Sequence, residues 1–505
     1  MSLLNLTLPR ALYTAAQTRE LDRLAMEEHD LGGGRLMERA GQAAFQLLRG
    51  LYPRAQRIAV VCGPGNNGGD GFVVARLCQQ AGLQAQVLRL AQSERLRGDA
   101  LRAYQGLQAT SCPIADFDAG LLAEAEVIVD ALFGTGLDRT VTGQAALAIT
   151  AMNTARAPVL ALDIPSGLQA DTGKVMGVAV YARATISFIG LNPGLLTGEG
   201  PELSGDVVYH DLGVPAAVFD AVMATGQRLD AETCKALMPV RPRHAHKGLC
   251  GRVAVLGGDE GMAGAVVLAA LAAYRCGAGL VNVATHPAHA RQLDVTLPEA
   301  MTLAVSTGAE LRYQLRACDV LLLGPGLGRG DWARGVIAEA LTMPGPKVID
   351  ADGLYWLAQA ADARTGRDPE CVLTPHPGEA ATLLGTCIAD VQADRPRAAQ
   401  AIARQYGVVC VLKGAGTVIT YPDEAIVALC DVGNPGLATG GSGDVLAGAI
   451  ASLMAQGLSG WEAARLVVWL HGTAADRLIQ NLSEPGLMAS DLPLEMAVVL
   501  GGLSA

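Results

Sequence analysis

Aromatic side chains are scarce in this 505-residue chain, at 4% of the total, and 38 Lys and Arg face 49 Asp and Glu. Nucleic-acid binding needs basic surface and stacking platforms, so both shortages argue against it. No C-x-x-C pair occurs among the eleven cysteines, which are scattered from Cys62 to Cys430. An odd, dispersed set fits reduced, mostly buried thiols in a cytoplasmic protein better than a disulfide frame or a zinc site. Long apolar runs are missing too: the one near Ala263–Tyr274 ends at Arg275, too short to span a bilayer. Met1–Arg10 lacks a basic start followed by an apolar core and a small-residue cleavage site, so no signal peptide is expected. No G-x-x-x-x-G-K-[ST] occurs, which excludes a P-loop. With a net charge of −11, any anionic ligand must be held by local backbone dipoles and a few placed cations.

The length predicts two domains or more, and half the residues are apolar, enough for large cores. In the first half, Arg57–Cys62, Ala85–Leu90, Val127–Asp130, Val159–Asp163 and Ala184–Ile189 read as strands. Gly71–Gln80, Arg95–Leu107 and Gln144–Thr154 read as helices between them, and Thr14 to Gln17 as a capping box opening a leading helix. This alternation predicts a parallel sheet with helices on both faces. Polarity rises from about Gln227, and Pro239–Lys247 is a proline- and charge-rich crossing. Its His244 and His246 read as solvated surface; the alternative is a pair of metal ligands. The alternation then restarts, with strands at Gly251–Leu256, Leu280–Ala284, Val320–Leu323, Lys347–Asp350, Val372–Leu373 and Val408–Leu412. The expected organisation is α/β throughout, with domains at 1–226 and 227–505. No short internal repeat relates the halves.

The first strand runs into Gly63-Pro64-Gly65-Asn66-Asn67-Gly68-Gly69-Asp70-Gly71. A dinucleotide fingerprint of the hydride-transfer kind needs an acid at the end of the next strand, and Val87-Leu88-Arg89-Leu90 has none. The asparagines and Asp70 are more specific than the glycines. Two further strand ends carry acids: Asp130, followed by Ala131-Leu132-Phe133-Gly134-Thr135-Gly136-Leu137-Asp138-Arg139-Thr140, and Asp163, followed by Ile164-Pro165-Ser166-Gly167. Ligands of open parallel sheets bind beyond the carboxyl ends of strands, so three such ends favour a site. Each Asp alone is as good a loop cap.

In the second half, Asn434-Pro435-Gly436-Leu437-Ala438-Thr439-Gly440-Gly441-Ser442-Gly443-Asp444 leads into an apolar, helix-like run, Val445 to Met454. A glycine turn opening a helix aims N–H groups and the positive end of the dipole at one spot, a place for migrating phosphoryl charge. Asp444 would hang over that spot and could take a proton from an attacking hydroxyl. The alternative is a flexible glycine loop capped by an Asp. Val411-Leu412-Lys413-Gly414-Ala415-Gly416-Thr417 offers a lysine and small residues that let backbone approach a nucleotide; a surface lysine is the alternative. Thr374-Pro375-His376-Pro377-Gly378-Glu379 is another polar strand end, with His376 otherwise a core histidine.

These motifs carry a resemblance. Residues 58–213 resemble the epimerase domain of the NAD(P)H-hydrate repair enzymes, through G-x-G-N-N-G-G-D-G, V-D-A-L-F-G-T-G and D-I-P-S-G in order. From about His246 to the C-terminus the chain is similar to the ADP-dependent NAD(P)H-hydrate dehydratase domain, through G-G-D-x-G-x-A-G-A at Gly257–Ala265, G-P-G-L-G, T-P-H-P-G-E, L-K-G-A-G-T and G-G-S-G-D. The resemblance implies a Rossmann-like first domain and a ribokinase-like second one. It implies that Asn66, Asn67, Gly68, Gly69, Asp70 and Gly134 to Thr140 hold the damaged dinucleotide, and that Asn67, Asp130 and Ser166 bind K+. Asp163 would contact the reacting nicotinamide ring. In the second domain Ala265, Gly326, His376 and Asp444 would touch the hydrate, and Lys413, Gly414, Ala415, Gly416, Thr417 and Gly443 the adenine nucleotide. Mg2+ is expected with the phosphates, through Glu379. The implied partners are NAD(P)H hydrates (NAD(P)HX) and ADP, in a homo-oligomer. Two rivals stand beside this: a vitamin-precursor kinase, which has no use for the N-N-G-G-D domain, and a non-catalytic scaffold, which has no use for Asp163 and Asp444.

Overall fold

The computed structural model describes residues 8–29, 31–90, 94, 96–360, 370–422 and 426–504; Met1–Thr7 and Arg95 of the readings above lie outside them. The chain divides into two units, Met1–Arg228 and Leu229–Ala505. The Pro239–Lys247 crossing falls within the second.

In the first unit a seven-stranded sheet runs in the order Ile114–Asp116, Gln84–Arg89, Arg57–Cys62, Val127–Ala131, Val159–Leu162, Ala184–Phe188, Asp206–His210. All neighbours are parallel. Side chains alternate between faces: Ile58 and Val60 join the core under the helices Gly33–Leu51 and Asn66–Gln80, while Ala59 and Val61 join that under Gly143–Thr154. The pairing of Val61 with Asp130 and of Asp130 with Ala161 brings three strand ends level. Thr14 caps the leading helix Ala15–Glu28 as its sequence predicts, with Gln17 closing the box from the other side.

In the second unit the strands order as Val427–Cys430, Thr417–Thr420, Val409–Leu412, Cys371–Leu373, Lys347–Ile349, Val320–Leu323, Arg252–Leu256, Leu280–Thr285, Met301–Ala304. The pairings from Val409–Leu412 onward are parallel, and the first two are antiparallel. Val253 and Val255 face one helical layer, Ala254 and Leu256 the other. The apolar helix Ser442–Ala455 lies on the first of these layers, where Gly448 lets it seat against the Ala269 backbone of helix Ala263–Arg275. Asn66–Asp70, which glycines mark as loop, is instead the first turn of a helix that begins five residues before Gly71. A close approach allows it: a Cβ on Gly68 would strike the Gly63 carbonyl.

No disulfide joins the eleven cysteines, and nine of them are buried. No helix among the described residues is long and apolar enough to cross a membrane.

Candidate active sites

Beyond the level strand ends of the first unit lies a cavity of about 490 Å3. Asn66, Asn67, Asp70, Gly134, Thr135, Gly136, Leu137, Asp138, Arg139 and Asp163 border it, as do Thr18, Arg19 and Asp22 from the leading helix. Gly68 and Gly69 do not; they pack on Gly63 and Met37. Thr140 packs toward Gly177. Asp163 sits just past its strand at φ +65, a conformation rare for a non-glycine residue. Its Oδ2 accepts from the Thr135 N–H at 2.8 Å, tying two of the strand-end loops together. A Cβ on Gly134 would come within 2.5 Å of that same oxygen, so a side chain there would displace the carboxylate. Burial raises the Asp163 pKa, against the pull of Thr135. Ile189, at φ +58, and Leu212, at φ +54, border the same cavity.

Asp130 is wholly buried beneath. It accepts from Ser166 N at 2.8 Å, Ser166 Oγ at 2.6 Å and Leu132 N at 3.2 Å. Burial lifts its pKa to about 6, with the Ser166 hydrogen bonds opposing. Asn67 is 6% exposed, and neither its Oδ1 nor its Nδ2 has a partner among the described residues. A buried amide left this way is costly, which marks a place for a ligand.

The second unit assembles an ion-pair network. Lys413 Nζ lies 2.8 Å from Asp350 Oδ1 and 3.9 Å from Glu379 Oε2. Burial opposes the lysine's charge, but Asp350 and Glu379 outweigh it and hold its pKa above the ordinary value. Thr374 Oγ1 donates to Asp350 at 2.8 Å. A Cβ on Gly443 would lie 3.2 Å from Lys413 Nζ and 3.6 Å from Asp350 Oδ2, so the glycine turn faces this pair. Gly441, at φ +95, is the N-cap of the helix, and Asp444 falls in its first turn. Burial, then Asp350, lifts the Asp444 pKa to about 7, against Lys413. His376 and Glu379 form a reciprocal cap, with His376 N donating to Glu379 Oε2 at 2.7 Å. Gly326 (φ +56) lies against Ala265, where its Cβ would come within 3.1 Å. A second cavity, of about 350 Å3, is bordered by Arg329, Ala351, Asp352, Tyr355, His376, Gly378, Glu379 and Thr382. Ala351 there has φ +48.

The nucleotide-type loop is held from below. Arg395, 1% exposed, donates through Nη2 to the carbonyls of Lys413 at 3.2 Å, Leu412 at 3.3 Å and Gly416 at 3.4 Å. A Cβ on Gly414 would approach its guanidinium at 2.9 Å. Ala415 and Thr417 complete this turn, and Thr417 opens a strand. Sequence reasoning missed three residues. Asp350 follows the strand Lys347–Ile349 as Asp163 follows its own, so the strand-end rule could have found it. Asp22 reads as the polar side of an amphipathic helix, and Arg395 as a solvated first-turn charge.

The fold and the two carboxylate sites define a two-unit α/β enzyme, with the second unit of ribokinase-like form. Residues 253–496 match the family model described as NAD(P)H-hydrate dehydratase, and residues 33–194 that of the YjeF-related protein N-terminus. The bifunctional NAD(P)H-hydrate repair enzyme of Coxiella burnetii is 45% identical over 481 residues, 95% of this chain and 97% of that one. That of Escherichia coli is 38% identical, over 96% and 93%. A solved ribokinase-like superfamily protein from Enterococcus faecalis gives a TM-score of 0.51 at 27% identity, over 56% of this chain and 97% of that one. The chain belongs to the bifunctional NAD(P)H-hydrate repair enzymes, which join an epimerase to a dehydratase.

Proposed function

We propose that residues 1–226 interconvert the R and S hydrates of NADH and NADPH at C6, and that residues 227–505 dehydrate the S form at the expense of ADP, giving AMP and phosphate. The observation that carries this reading is Asp444 in the first turn of a helix, with Lys413 and Asp350 beside Gly443. Hydroxide is a poor leaving group. Asp444 takes the proton of the C6 hydroxyl as that oxygen attacks the terminal phosphoryl of ADP, and AMP departs. Glycine N–H groups and Lys413 stabilise the charge in transit. Phosphate then leaves C6 with loss of a C5 proton, and the ring regains its double bond. Ala265, Gly326 and His376 would touch the hydrate; Lys413 to Thr417 and Gly443 would hold the nucleotide, over Arg395.

In the first unit Asp163 serves the nicotinamide ring, and Asn66, Asn67, Asp70 and Gly134 to Arg139 hold the dinucleotide. K+ fits the donors beneath: Asn67 Oδ1 is buried without a partner, and Asp130 and Ser166 add oxygens that suit a hard cation. Mg2+ would neutralise phosphate charge, and Glu379 would help hold it. Small-molecule ligands, not nucleic acid, fit the acidic, aromatic-poor composition; the dispersed free thiols fit a cytoplasmic setting, and the family resemblance suggests a homo-oligomer. The test is turnover of hydrated NADH with ADP. Recovery of NADH from both epimers is expected, with AMP and phosphate formed in equal amounts; recovery from neither ends the reading.

A further inference from the structure

Five carboxylates border the first cavity: Asp99, which pairs with Arg102, then Asp138, and the mutually repelling set of three, Asp22, Asp70 and Asp163. The last three come from three elements, the leading helix Ala15–Glu28, the helix Asn66–Gln80 and the loop after Val159–Leu162. Of these three, only Asp163 accepts a side-chain hydrogen bond among the described residues, from Thr135 N. Asp22 and Asp70 accept none and join no ion pair among the described residues. Arg19 and Arg139 border the cavity without pairing with either. Asn67, buried and partnerless in both its side-chain polar atoms, opens onto the same space. Unpaired acids this close repel one another, so some of them stay protonated near neutrality. Burial, then Asp163, lifts the Asp22 pKa to about 7. Burial, then Asp163 and Asp22, raises that of Asp70.

Epimerisation at C6 by loss and return of the hydroxyl needs one group to give a proton and another to take one. We propose that Asp22 is the second catalytic carboxyl of the first site, working opposite Asp163; this rests on the epimerase reading above. In one direction the Asp22 carboxyl gives its proton to the C6 hydroxyl. The C6–O bond breaks, its electron pair leaves with water, and the N1 lone pair closes a C6=N1 iminium. A solvent water then adds to the other face of C6. The Asp163 carboxylate takes a proton from that water, and the iminium pair returns to N1. Asp22 ends ionised and Asp163 protonated, the state from which the reverse reaction starts. Asp70, bordering both, sustains the shared protonation. One hydroxyl is exchanged for one from solvent, and the net composition is unchanged.

The full-length protein is given R hydrate of NADH in H218O, beside an enzyme-free control for spontaneous exchange. The S hydrate is expected to carry one solvent oxygen per epimerisation. Asp22→Asn should slow epimerisation ~10²-fold or more, leaving ADP-driven dehydration of pure S hydrate unchanged as the check on folding. Asp22→Glu should restore part of the rate. Epimerisation in Asp22→Asn within threefold of wild type overturns the proposal. So does retention of the original oxygen by wild type, which would mean that the N1–C6 bond opens instead. Wild type that does not epimerise at all overturns the epimerase reading itself.

Discussion

The two sites handle buried acids in opposite ways. In the first unit Asp22, Asp70 and Asp163 share a cavity, and among the described residues no cationic side chain is bonded to them. In the second, Lys413 stands 2.8 Å from Asp350 and 3.9 Å from Glu379, and one acid beside it, Asp444, is lifted to about 7. Carboxylates without a counter-charge keep protons and can pass them to a ring. Carboxylates arranged around a lysine keep a cation in place for phosphate and reserve one of their number as a base. On the proposed reading the same residue type, at the same kind of strand or helix end, serves proton exchange in one unit and phosphoryl chemistry in the other.

The largest effect that would break this contrast is expected from Asp444→Asn. The side chain keeps its shape and loses its basicity. ADP-driven dehydration should fall ~10²–10⁴-fold while ADP still binds and epimerisation persists. NADH recovery from the S hydrate measures it, and a rate within a few-fold of wild type means that Asp444 is only a cap, since Asn caps helices about as well as Asp. Asp163→Asn mirrors it in the first unit. Epimerisation should slow by ~10²-fold toward the spontaneous rate, with dehydration of pure S hydrate near normal. Loss of both activities together would dissolve the division between the units.

A smaller effect sharpens the contrast through pH. A base must be ionised, and Asp444 protonates as pH falls through about 7. Dehydration kcat/KM should therefore plateau above pH 7 and drop about tenfold for each unit below it. A flat profile from pH 5.5 to 8 would show that no such group limits the rate. Smallest is the monovalent cation. K+ should support epimerisation more than Na+ does and leave dehydration alone, because Asn67, Asp130 and Ser166 lie only in the first unit. Equal epimerase rates in K+ and in a bulky organic cation count against a bound ion.

Much of this is legible in the chain, for identifiable reasons. Parallel strands buried on both faces are apolar runs, so Arg57–Cys62 and Val320–Leu323 can be read to the residue. Polar residues at their ends stand out against those runs, which exposes Asp130 and Asp163. What resists reading has weaker periodicity. Ile114–Asp116 is too short to show alternation, and Thr417–Thr420 hides behind a glycine loop. Asn66–Asp70 looks like a turn because its glycines serve backbone contact inside a helix. Arg395 is the plainest case: beside a local bond to Gln392, its guanidinium goes 1% exposed because it caps carbonyls more than fifteen residues away in sequence, which nothing local announces.

Among the described residues four non-glycine residues have positive φ, Asp163, Ile189, Leu212 and Ala351, and each borders one of the two candidate-site cavities. Such conformations cost about 1–3 kcal/mol apiece and persist only where surrounding packing enforces them. Durability and turnover are therefore drawn from one reservoir. Gly at Leu212 or Ile189 would relieve the backbone but delete a side chain that is 3% exposed, and the lost packing, about 2–5 kcal/mol, outweighs the gain. Breeding for robustness without loss of repair has to look to the helix surfaces and leave these four positions as they are.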